Sequence, residues 1–356
     1  MKYRLALIGL GNVGLGFAQI LSERGRELAE QFGMELEIVA VSDFIRGSVY
    51  DPGGIAPEAL IEAVAQTGNL DGVPAAERGW DALQTITSSQ ADVVMELTYT
   101  DLKTGEPAFS HIHAALESGK HVVTTNKGPV ALRFPDLTAI AREKNVEIGV
   151  EGTVMSGTPT LRLGMEYIAA AGVQRIEGIL NGTTNYILTQ MEEGADYETA
   201  LADAQEKGYA EADPTGDVEG HDPAGKVVIL GNLMMGLPLT MADVDCTGIT
   251  GLTAEDIAAA KAAGERWKLI GKLEVVDGVP HASVKPERIP LAHPLAAIGG
   301  ATNAITYSTD LLGQVTLVGP GAGRMETGFA LIVDLLAIHR KHGSRTDRLS
   351  ADHKLI

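Results

Sequence analysis

Residues 3–16, YRLALIGLGNVGLG, decide the fold of the first part of the chain. They begin with an apolar run that predicts a buried strand, and a long helical pattern follows their glycines. In this spacing Gly9 permits a sharp turn, Gly11 lets the backbone approach a pyrophosphate, and Gly14 lets the helix pack closely on the strand. The helix N-terminus would offer free N–H groups to the phosphates. The stretch therefore predicts a dinucleotide-binding turn, with a strand-to-helix turn that binds nothing as the alternative.

Around that turn, short β-branched segments alternate with helical patterns. Strands are predicted at EIVAVSD, DVVMELT and HVVTT, and a helix at PAFSHIHAALESG. This alternation is typical of an α/β fold with a Rossmann-like, doubly wound parallel sheet. Between residues 51 and 80 the sequence becomes rich in Gly and Pro and carries one short helix, PEALIEAVAQ, so we expect an irregular excursion there.

The pattern changes after Glu151 and changes back near the end of the chain. The segments KLEVVDG and HASVKPERI flank Asp277-Gly278, which predicts a hairpin in an antiparallel sheet. The last segment, QVTLVGPGAGRMETGFALIVDLLAIHR, is again a strand, a glycine turn and a long helix. We therefore predict one domain from residues 1–150 and 315–356, and a second, α+β domain from residues 151–314.

Composition excludes several classes of protein. A chain of 356 residues favours two domains. Its 47 acidic and 28 basic residues give a net charge of -19, which disfavours binding to nucleic acid and to anionic membrane surfaces. Cys246 is the single cysteine, so an internal disulfide is excluded and a reducing cytoplasm is expected. No uncharged apolar run approaches the roughly 18 residues that a membrane span needs.

The residues after the second predicted strand bear on the choice of cofactor. Asp43 ends that strand, where a carboxylate would accept hydrogen bonds from an adenosine ribose. Arg46 follows three residues later and could instead meet a 2′-phosphate. The sequence leaves NAD and NADP as open alternatives.

A lysine and an aspartate lie at the start of a strongly apolar helix. Asp222 and Lys226 are one turn apart on one face, and KVVILGNLMMG continues the helix. Pro223 suits the first helical turn, so Asp222 is expected at or near the N-cap. A surface ion pair would explain the spacing. The apolar helix and the acidic loop before it, with Glu211, Asp213, Asp217 and Glu219, favour instead a lysine that donates a proton to an oxygen gaining charge.

At this point the motifs resemble a known family, the homoserine dehydrogenases. The run AQEKGYAEADPTGDVEGHDPAGK at 204–226 matches the signature of that family with its spacing intact. The chain also carries similar motifs along its whole length, namely GLGNVG at 9–14, HVVTTNKGP at 121–129, EGTVMSGTP at 151–159, NGTTNYI at 181–187 and GPGAG at 319–323. The resemblance implies reversible NAD- or NADP-dependent reduction of L-aspartate 4-semialdehyde to L-homoserine, a step toward threonine and methionine.

The resemblance also implies roles for individual residues. Lys226 would be the acid–base residue, and Asp222 would orient it and the substrate. The substrate pocket would be lined by Gly182, Thr183, Tyr209, Glu211 and Asp217. The cofactor would contact Gly9, Gly11, Asn12, Val13, Gly14, Asp43, Arg46, Thr98, Lys127, Gly208, Gly321 and Gly323. Backbone carbonyls of Glu151, Val154, Ser156 and Thr158 would surround a structural sodium ion, since hard oxygens suit hard cations.

Further expectations concern assembly and the histidines. The resemblance implies a homodimer formed through the second, catalytic and dimerisation domain, and a short form without the C-terminal regulatory domain that many members carry. His111 and His113 are expected on a helix surface. The alternatives are a related dehydrogenase of another small amino-acid aldehyde or dicarboxylate, and a nucleotide-binding sensor without catalytic activity.

Overall fold

The computed structural model describes residues 1–342, and their contacts divide the chain into two compact units. The first unit is Met1–Gly157 together with the segment that starts at Gly323. The second unit is Thr158–Ala322. None of the helices in the described residues is both long and apolar enough to span a membrane.

The first unit is built on a seven-stranded sheet with the order β4-β3-β2-β1-β5-β6-β7. The strands are β1 (Lys2–Ile8), β2 (Glu35–Asp43), β3 (Gly47–Tyr50), β4 (Glu77–Arg78), β5 (Val93–Glu96), β6 (His121–Thr124) and β7 (Ile148–Gly149). The neighbouring pairs β2–β1, β1–β5, β5–β6 and β6–β7 are parallel. Strands β3 and β4 add an antiparallel edge beside β2. This confirms the predicted doubly wound α/β fold. Of the two edge strands, β4 lies within the predicted excursion at 51–80 and β3 lies just before it.

Helices cover both faces of this sheet. They are α1 (Asn12–Phe32), α2 (Pro57–Thr67), α3 (Ala82–Ser88), α4 (Ala108–Glu117), α5 (Lys127–Lys144) and, from the end of the chain, α12 (Arg324–His342). Leu5 and Leu7 of β1 pack in one core cluster with Phe17 and Leu331, while Ala6 belongs to a second cluster on the opposite face. Because the second half of β1 is buried on both faces, its sequence there, LALI, is a continuous apolar run.

The second unit is built on a six-stranded sheet with the order β13-β12-β8-β10-β11-β9. Its strands are β8 (Val173–Ile179), β9 (Val244–Cys246), β10 (Glu265–Val276), β11 (Val279–Pro290), β12 (Thr302–Thr309) and β13 (Gly313–Pro320). The predicted hairpin is confirmed, because β10 and β11 pair antiparallel across Asp277 and Gly278, which have φ values of 52° and 78°. Both residues thus adopt the left-handed conformation that a tight two-residue turn requires.

Six helices of the second unit accompany this sheet. They are α6 (Thr160–Leu163), α7 (Gly182–Glu193), α8 (Tyr197–Glu206), α9 (Thr215–Val218), α10 (His221–Met234) and α11 (Ala254–Ala262). Helix α10 is buried from Pro223 through Gly231. A Cβ added to Gly271 of β10 would lie 3.0 Å from the side chain of Val227, so this glycine lets α10 approach the sheet closely.

The end of the chain divides between the two units at a different residue from the predicted one. Strand β13 pairs with β12 in the second sheet, and the chain returns to the first unit at Gly323, whereas the sequence predicts the boundary at 315. The local pattern of strand, turn and helix is present, but it does not specify the partner with which a strand pairs.

Candidate active site

The glycine turn between β1 and α1 has the geometry that a pyrophosphate needs. Gly9 has a φ of 101°, and a Cβ on it would lie 2.7 Å from the carbonyl oxygen of Leu97. A Cβ on Gly14 would lie 2.8 Å from the Gly9 oxygen. Gly11 is the N-cap of α1, where no side chain caps the helix, and a Cβ there would face open space. The first N–H groups of α1 therefore fit a phosphate ligand.

Asp43 connects the end of β2 to this turn. Its Oδ2 accepts a 2.7 Å hydrogen bond from the Leu10 N–H, and its Oδ1 accepts 2.9 Å bonds from the N–H groups of Ile45 and Arg46. The guanidinium of Arg46 donates to the Gly68 carbonyl at 3.3 Å. The carboxylate therefore lies beside the glycine turn, while the arginine is bonded to the C-terminal end of α2.

The ends of β5 and β6 complete the same edge of the first sheet. Asn126, the N-cap of α5, donates from Nδ2 to the carbonyls of Thr98 at 3.2 Å and Tyr99 at 2.8 Å. Lys127 is the first residue of α5. Since the Gly9 turn touches the backbone of Leu97 and Thr98, three predicted cofactor residues, Gly9, Thr98 and Lys127, lie at the carboxyl edge of the sheet.

Three other predicted cofactor glycines lie elsewhere in the chain. Gly323 has a φ of 135° and precedes α12, whose first residue, Arg324, closely approaches Gly16 of α1. Gly208 and Gly321 belong to the second unit. Their part in cofactor binding remains a prediction.

In the second unit, Lys226 and Asp222 form the expected pair on α10. The N-cap is Gly220, with a φ of 84°, and Asp222 follows in the first turn of the helix, near the cap as expected. Lys226 is only 6% exposed. Its Nζ donates to Asp222 Oδ2 at 2.7 Å and to the Leu180 carbonyl at 2.6 Å. The pair is thus a buried, hydrogen-bonded one and not the surface pair that the spacing alone also allowed.

Asn181 joins this pair to Asp217, a contact that sequence reasoning missed. Asn181 is the N-cap of α7 and accepts from the Thr184 N–H at 2.9 Å through Oδ1. That bond directs Nδ2 toward the two carboxylates, to which it donates at 2.7 Å (Asp217) and 3.1 Å (Asp222). An asparagine before a helix signals a cap. Its second role depends on a contact 41 residues along the chain and has no local signal.

The environment of Asp217 raises the pKa of its carboxyl group. Burial is the main cause, and the negative charge of Asp222 is the second. The hydrogen bond from Asn181, the nearby side chain of Thr183 and the charge of Lys226 oppose both effects. Two carboxylates are therefore held next to one another because a single amide donates to both.

The remaining predicted substrate residues fall into two groups. Thr183 donates to the Tyr209 carbonyl at 2.6 Å, and the Tyr209 ring lies 4.9 Å from that of Tyr186. Gly182 begins α7, and a Cβ on it would lie 2.6 Å from the Ala301 carbonyl. Glu211, by contrast, is exposed. Within residues 1–342 its carboxylate makes no hydrogen bond or ion pair with Lys226, Asp222 or Asp217.

The predicted cation loop is a mostly buried, irregular segment of backbone. A short 3-10 turn spans Glu151–Thr153, and Ser156 has a φ of 53°. The Thr158 carbonyl accepts hydrogen bonds from the N–H and hydroxyl of Thr160. In the part of the chain that the structure describes, no group of three His, Cys, Asp or Glu side chains could hold a metal. A cation here would therefore rely on the backbone carbonyls of Glu151, Val154 and Ser156.

His111 departs from its expected surface position. It is 7% exposed, and its Nδ1 lies 3.3 Å from Oε1 of Glu96. His113 is exposed, as predicted. The two histidines are two residues apart on α4, so only one of them can face the sheet.

Comparisons with known proteins agree with this arrangement. Residues 9–151 match the family model "Homoserine dehydrogenase, NAD binding domain", and residues 159–336 match the model "Homoserine dehydrogenase". Together these models span both units of the chain.

Curated and solved relatives cover the chain nearly from end to end. An NAD+-dependent homoserine dehydrogenase of Pseudomonas canavaninivorans is 46% identical over 95% of this chain and 97% of its own length. A crystal structure of a putative homoserine dehydrogenase from Archaeoglobus fulgidus has a TM-score of 0.85 and 35% identity, over 94% of this chain and 99% of its own. A hyperthermophilic archaeal homoserine dehydrogenase mutant in complex with NADPH has a TM-score of 0.82 and 28% identity, over 97% and 100%. The chain therefore belongs to the homoserine dehydrogenase family.

Proposed function

We propose that the chain catalyses the reversible, NAD(P)-dependent reduction of L-aspartate 4-semialdehyde to L-homoserine, with Lys226 as the acid–base residue. The observation that carries the assignment is the buried Lys226 ammonium, bonded to Asp222 at 2.7 Å and to the Leu180 carbonyl at 2.6 Å. The family signature around this lysine and the matches to homoserine dehydrogenases favour catalysis over a nucleotide-binding protein without activity.

The geometry of Lys226 suits protonation of an alkoxide. An ammonium group has three donors, and two of them are engaged by Asp222 and Leu180. The third can hydrogen-bond the substrate oxygen, stabilise its developing negative charge and transfer a proton to it. In the oxidative direction a neutral Lys226 takes the proton of the homoserine hydroxyl. The bound nicotinamide supplies or accepts the hydride.

The neighbours of Lys226 fix its direction. Asp222 holds the ammonium by one bond, and Asn181 holds Asp222 by a bond to the same oxygen. The same amide nitrogen of Asn181 also donates to Asp217. We infer that Asp217 contributes to binding the ammonium group of the amino-acid substrate, with Glu211 as a second, more exposed acidic group.

The contacts of Asp43 support a preference for NAD over NADP. The carboxylate is fixed beside the glycine turn by Leu10, where it can accept from ribose hydroxyls and would repel a 2′-phosphate. Arg46, the residue that could favour the phosphate, donates instead to Gly68. The 46% identical Pseudomonas relative, which is NAD+-dependent, is consistent with this preference.

Three further properties belong to this proposal. A monovalent cation bound by the 151–158 loop is supported by its irregular backbone, a 3-10 turn followed by a left-handed residue at Ser156, since hard carbonyl oxygens suit hard cations. A homodimer through the second unit and a cytoplasmic location are carried over from the family. The lone Cys246 is compatible with a reducing compartment.

The activity can be tested with the purified protein. We expect homoserine to cause a rise in reduced-nicotinamide absorbance with NAD+, favoured at alkaline pH because oxidation of the alcohol releases a proton. Saturable NADH binding without any homoserine-dependent turnover would contradict the proposed function while leaving the dinucleotide site intact.

A further inference from the structure

A buried carboxylate lies at the carboxyl end of β5 and has no role in the chemistry described above. Glu96 is 0% exposed. No lysine or arginine within the described residues pairs with it. Its Oε1 accepts from the hydroxyl and, at 3.3 Å, the N–H of Thr98, and lies 3.3 Å from Nδ1 of His111. A fully buried carboxyl group whose partners are hydroxyl, amide and imidazole groups is unusual and calls for a physical reason.

Glu96 lies where the connections of the first sheet reverse direction. It pairs in register with Ile8 at the end of β1, the strand that leads into the glycine turn. After β1 the chain proceeds to β2, β3 and β4 on one side, and then crosses to β5, β6 and β7 on the other. The crevice between β1 and β5 is thus the switch point at which sheets of this kind bind dinucleotides.

The two sides of this switch point serve different halves of the ligand. Asp43, at the end of β2, is on the adenosine side of the glycine turn. Thr98, at the end of β5, is on the opposite side, and its N–H lies 3.2 Å from the position of a Cβ on Gly9. Thr98 is partly exposed, so its hydroxyl can reach a ligand in the nicotinamide half of the crevice.

The carboxylate of Glu96 determines how the Thr98 hydroxyl can bond. The hydroxyl donates its single proton to Oε1 of Glu96. Its lone pairs are then left to accept from a ligand. His111 holds the carboxyl group in place through Nδ1, which lies 3.3 Å from Oε1.

We propose that Glu96 is a positioning residue that makes Thr98 an obligate hydrogen-bond acceptor for a donor of the nicotinamide riboside half of the cofactor, either a ribose hydroxyl or the carboxamide amine. The inference rests on the dinucleotide binding that the proposed function requires, and it does not depend on homoserine being the substrate.

A double-mutant cycle in nucleotide binding tests this. Thr98→Val removes the acceptor at nearly constant shape, and Glu96→Leu removes the group that orients it. Each variant should raise the Kd for NADH by about tenfold. If Glu96 acts through Thr98, the Kd of the double variant for NADH should also rise by about tenfold. Independent effects of the two substitutions would multiply, so the Kd would rise by about a hundredfold. The Kd of the Glu96→Gln variant for NADH should stay within about threefold of the wild-type value, because the amide oxygen of glutamine can accept the same hydrogen bonds.

Nucleotide fragments distinguish positioning from general damage to the fold. Calorimetric titration with ADP, which lacks the nicotinamide riboside half, should give the wild-type Kd for all variants. If the variants also lose affinity for ADP-ribose, the ribose hydroxyl is the donor. If they lose affinity only for NADH, the carboxamide is the donor. Equal losses for ADP and NADH, or multiplicative losses in the double variant, would overturn the proposal. If Glu96→Leu does not fold, Thr98→Val and Glu96→Gln still decide, because the proposal requires the first to weaken NADH binding and the second to preserve it.

Wild-type protein that binds NADH but does not oxidise homoserine would refute the proposed substrate and leave the cycle interpretable.

Discussion

Lys226 donates a 2.6 Å hydrogen bond from its ammonium group to the backbone carbonyl of Leu180, the residue immediately before the N-cap of α7. The catalytic candidate is therefore bound to the chain at the start of a neighbouring helix as well as to Asp222 on its own helix. Two fixed acceptors on different elements leave the side chain little rotational freedom. The direction of its remaining N–H is consequently set by the fold.

Replacing Lys226 by methionine keeps most of the buried volume and removes the proton donor. We expect kcat for homoserine oxidation to fall by about a thousandfold, within the usual range for loss of a general acid–base group. The Kd for NADH should change little. Lys261→Met is a matched control, because Lys261 also donates to a backbone carbonyl, that of Glu192, but on the exposed helix α11. Turnover within tenfold of wild type in Lys226→Met would remove this lysine from the mechanism.

Asn181 has two roles that one substitution can separate. Serine can still cap α7, but it has no amide to join Asp217 and Asp222. We expect Asn181→Ser to retain the wild-type thermal midpoint within a few degrees and to lose about tenfold to a hundredfold in kcat/KM. Asn181→Ala should lose as much activity and, in addition, about 1 kcal/mol of stability through loss of the cap. Full activity in the serine variant would show that the bridge is dispensable.

Coenzyme preference should respond to the charge of Asp43. Asp43→Ser removes the negative charge beside the glycine turn, so we expect the ratio of kcat/KM for NADP+ to that for NAD+ to rise at least about tenfold. Asp51→Ser is the control, since Asp51 likewise accepts from a backbone N–H, that of Gly53, in a turn of the same unit. If the ratio stays unchanged while both variants fold, the carboxylate does not select the coenzyme.

A cation on the 151–158 loop should appear as specific stabilisation by sodium. Replacing choline by sodium at constant ionic strength should raise the free energy of unfolding by about 1–3 kcal/mol at concentrations well above the Kd. Constant ionic strength is essential, because a chain with a net charge of -19 is also stabilised by general screening. Identical thermal midpoints in sodium and choline would argue against the ion.

Much of the fold was predictable because it is specified locally. The continuous apolar run of β1 and the glycines after it predict strand, turn and helix correctly, and Asp277-Gly278 predicts the hairpin through its left-handed backbone. The assignment of β13 to the second sheet was not predictable in this way. Which strands pair depends on contacts between residues that are distant in the sequence.

The same distinction applies to the site. The spacing of Asp222 and Lys226 within one helix places them together from the sequence alone. The Leu180 carbonyl and the Asn181 amide join them only through packing of α7 beside α10. His111 was expected at the surface because a helix pattern does not reveal which polar residue meets a buried carboxylate.

Stability toward acid should depend on His121, whose Nδ1 accepts a hydrogen bond from the Glu147 N–H at 3.0 Å. Burial, and secondarily the charge of His342, lower the pKa of His121 from 6.5 to about 4. Between these values the unfolded chain binds more protons than the folded one, so the free energy of unfolding falls as the pH decreases through this window. His121→Asn keeps an acceptor but cannot be protonated. Urea denaturation at pH 7, 6 and 5 should therefore show a smaller loss of stability in this variant than in wild type, while the exposed His113→Asn variant should follow wild type. Parallel losses in all three proteins would mean that another group causes the acid sensitivity.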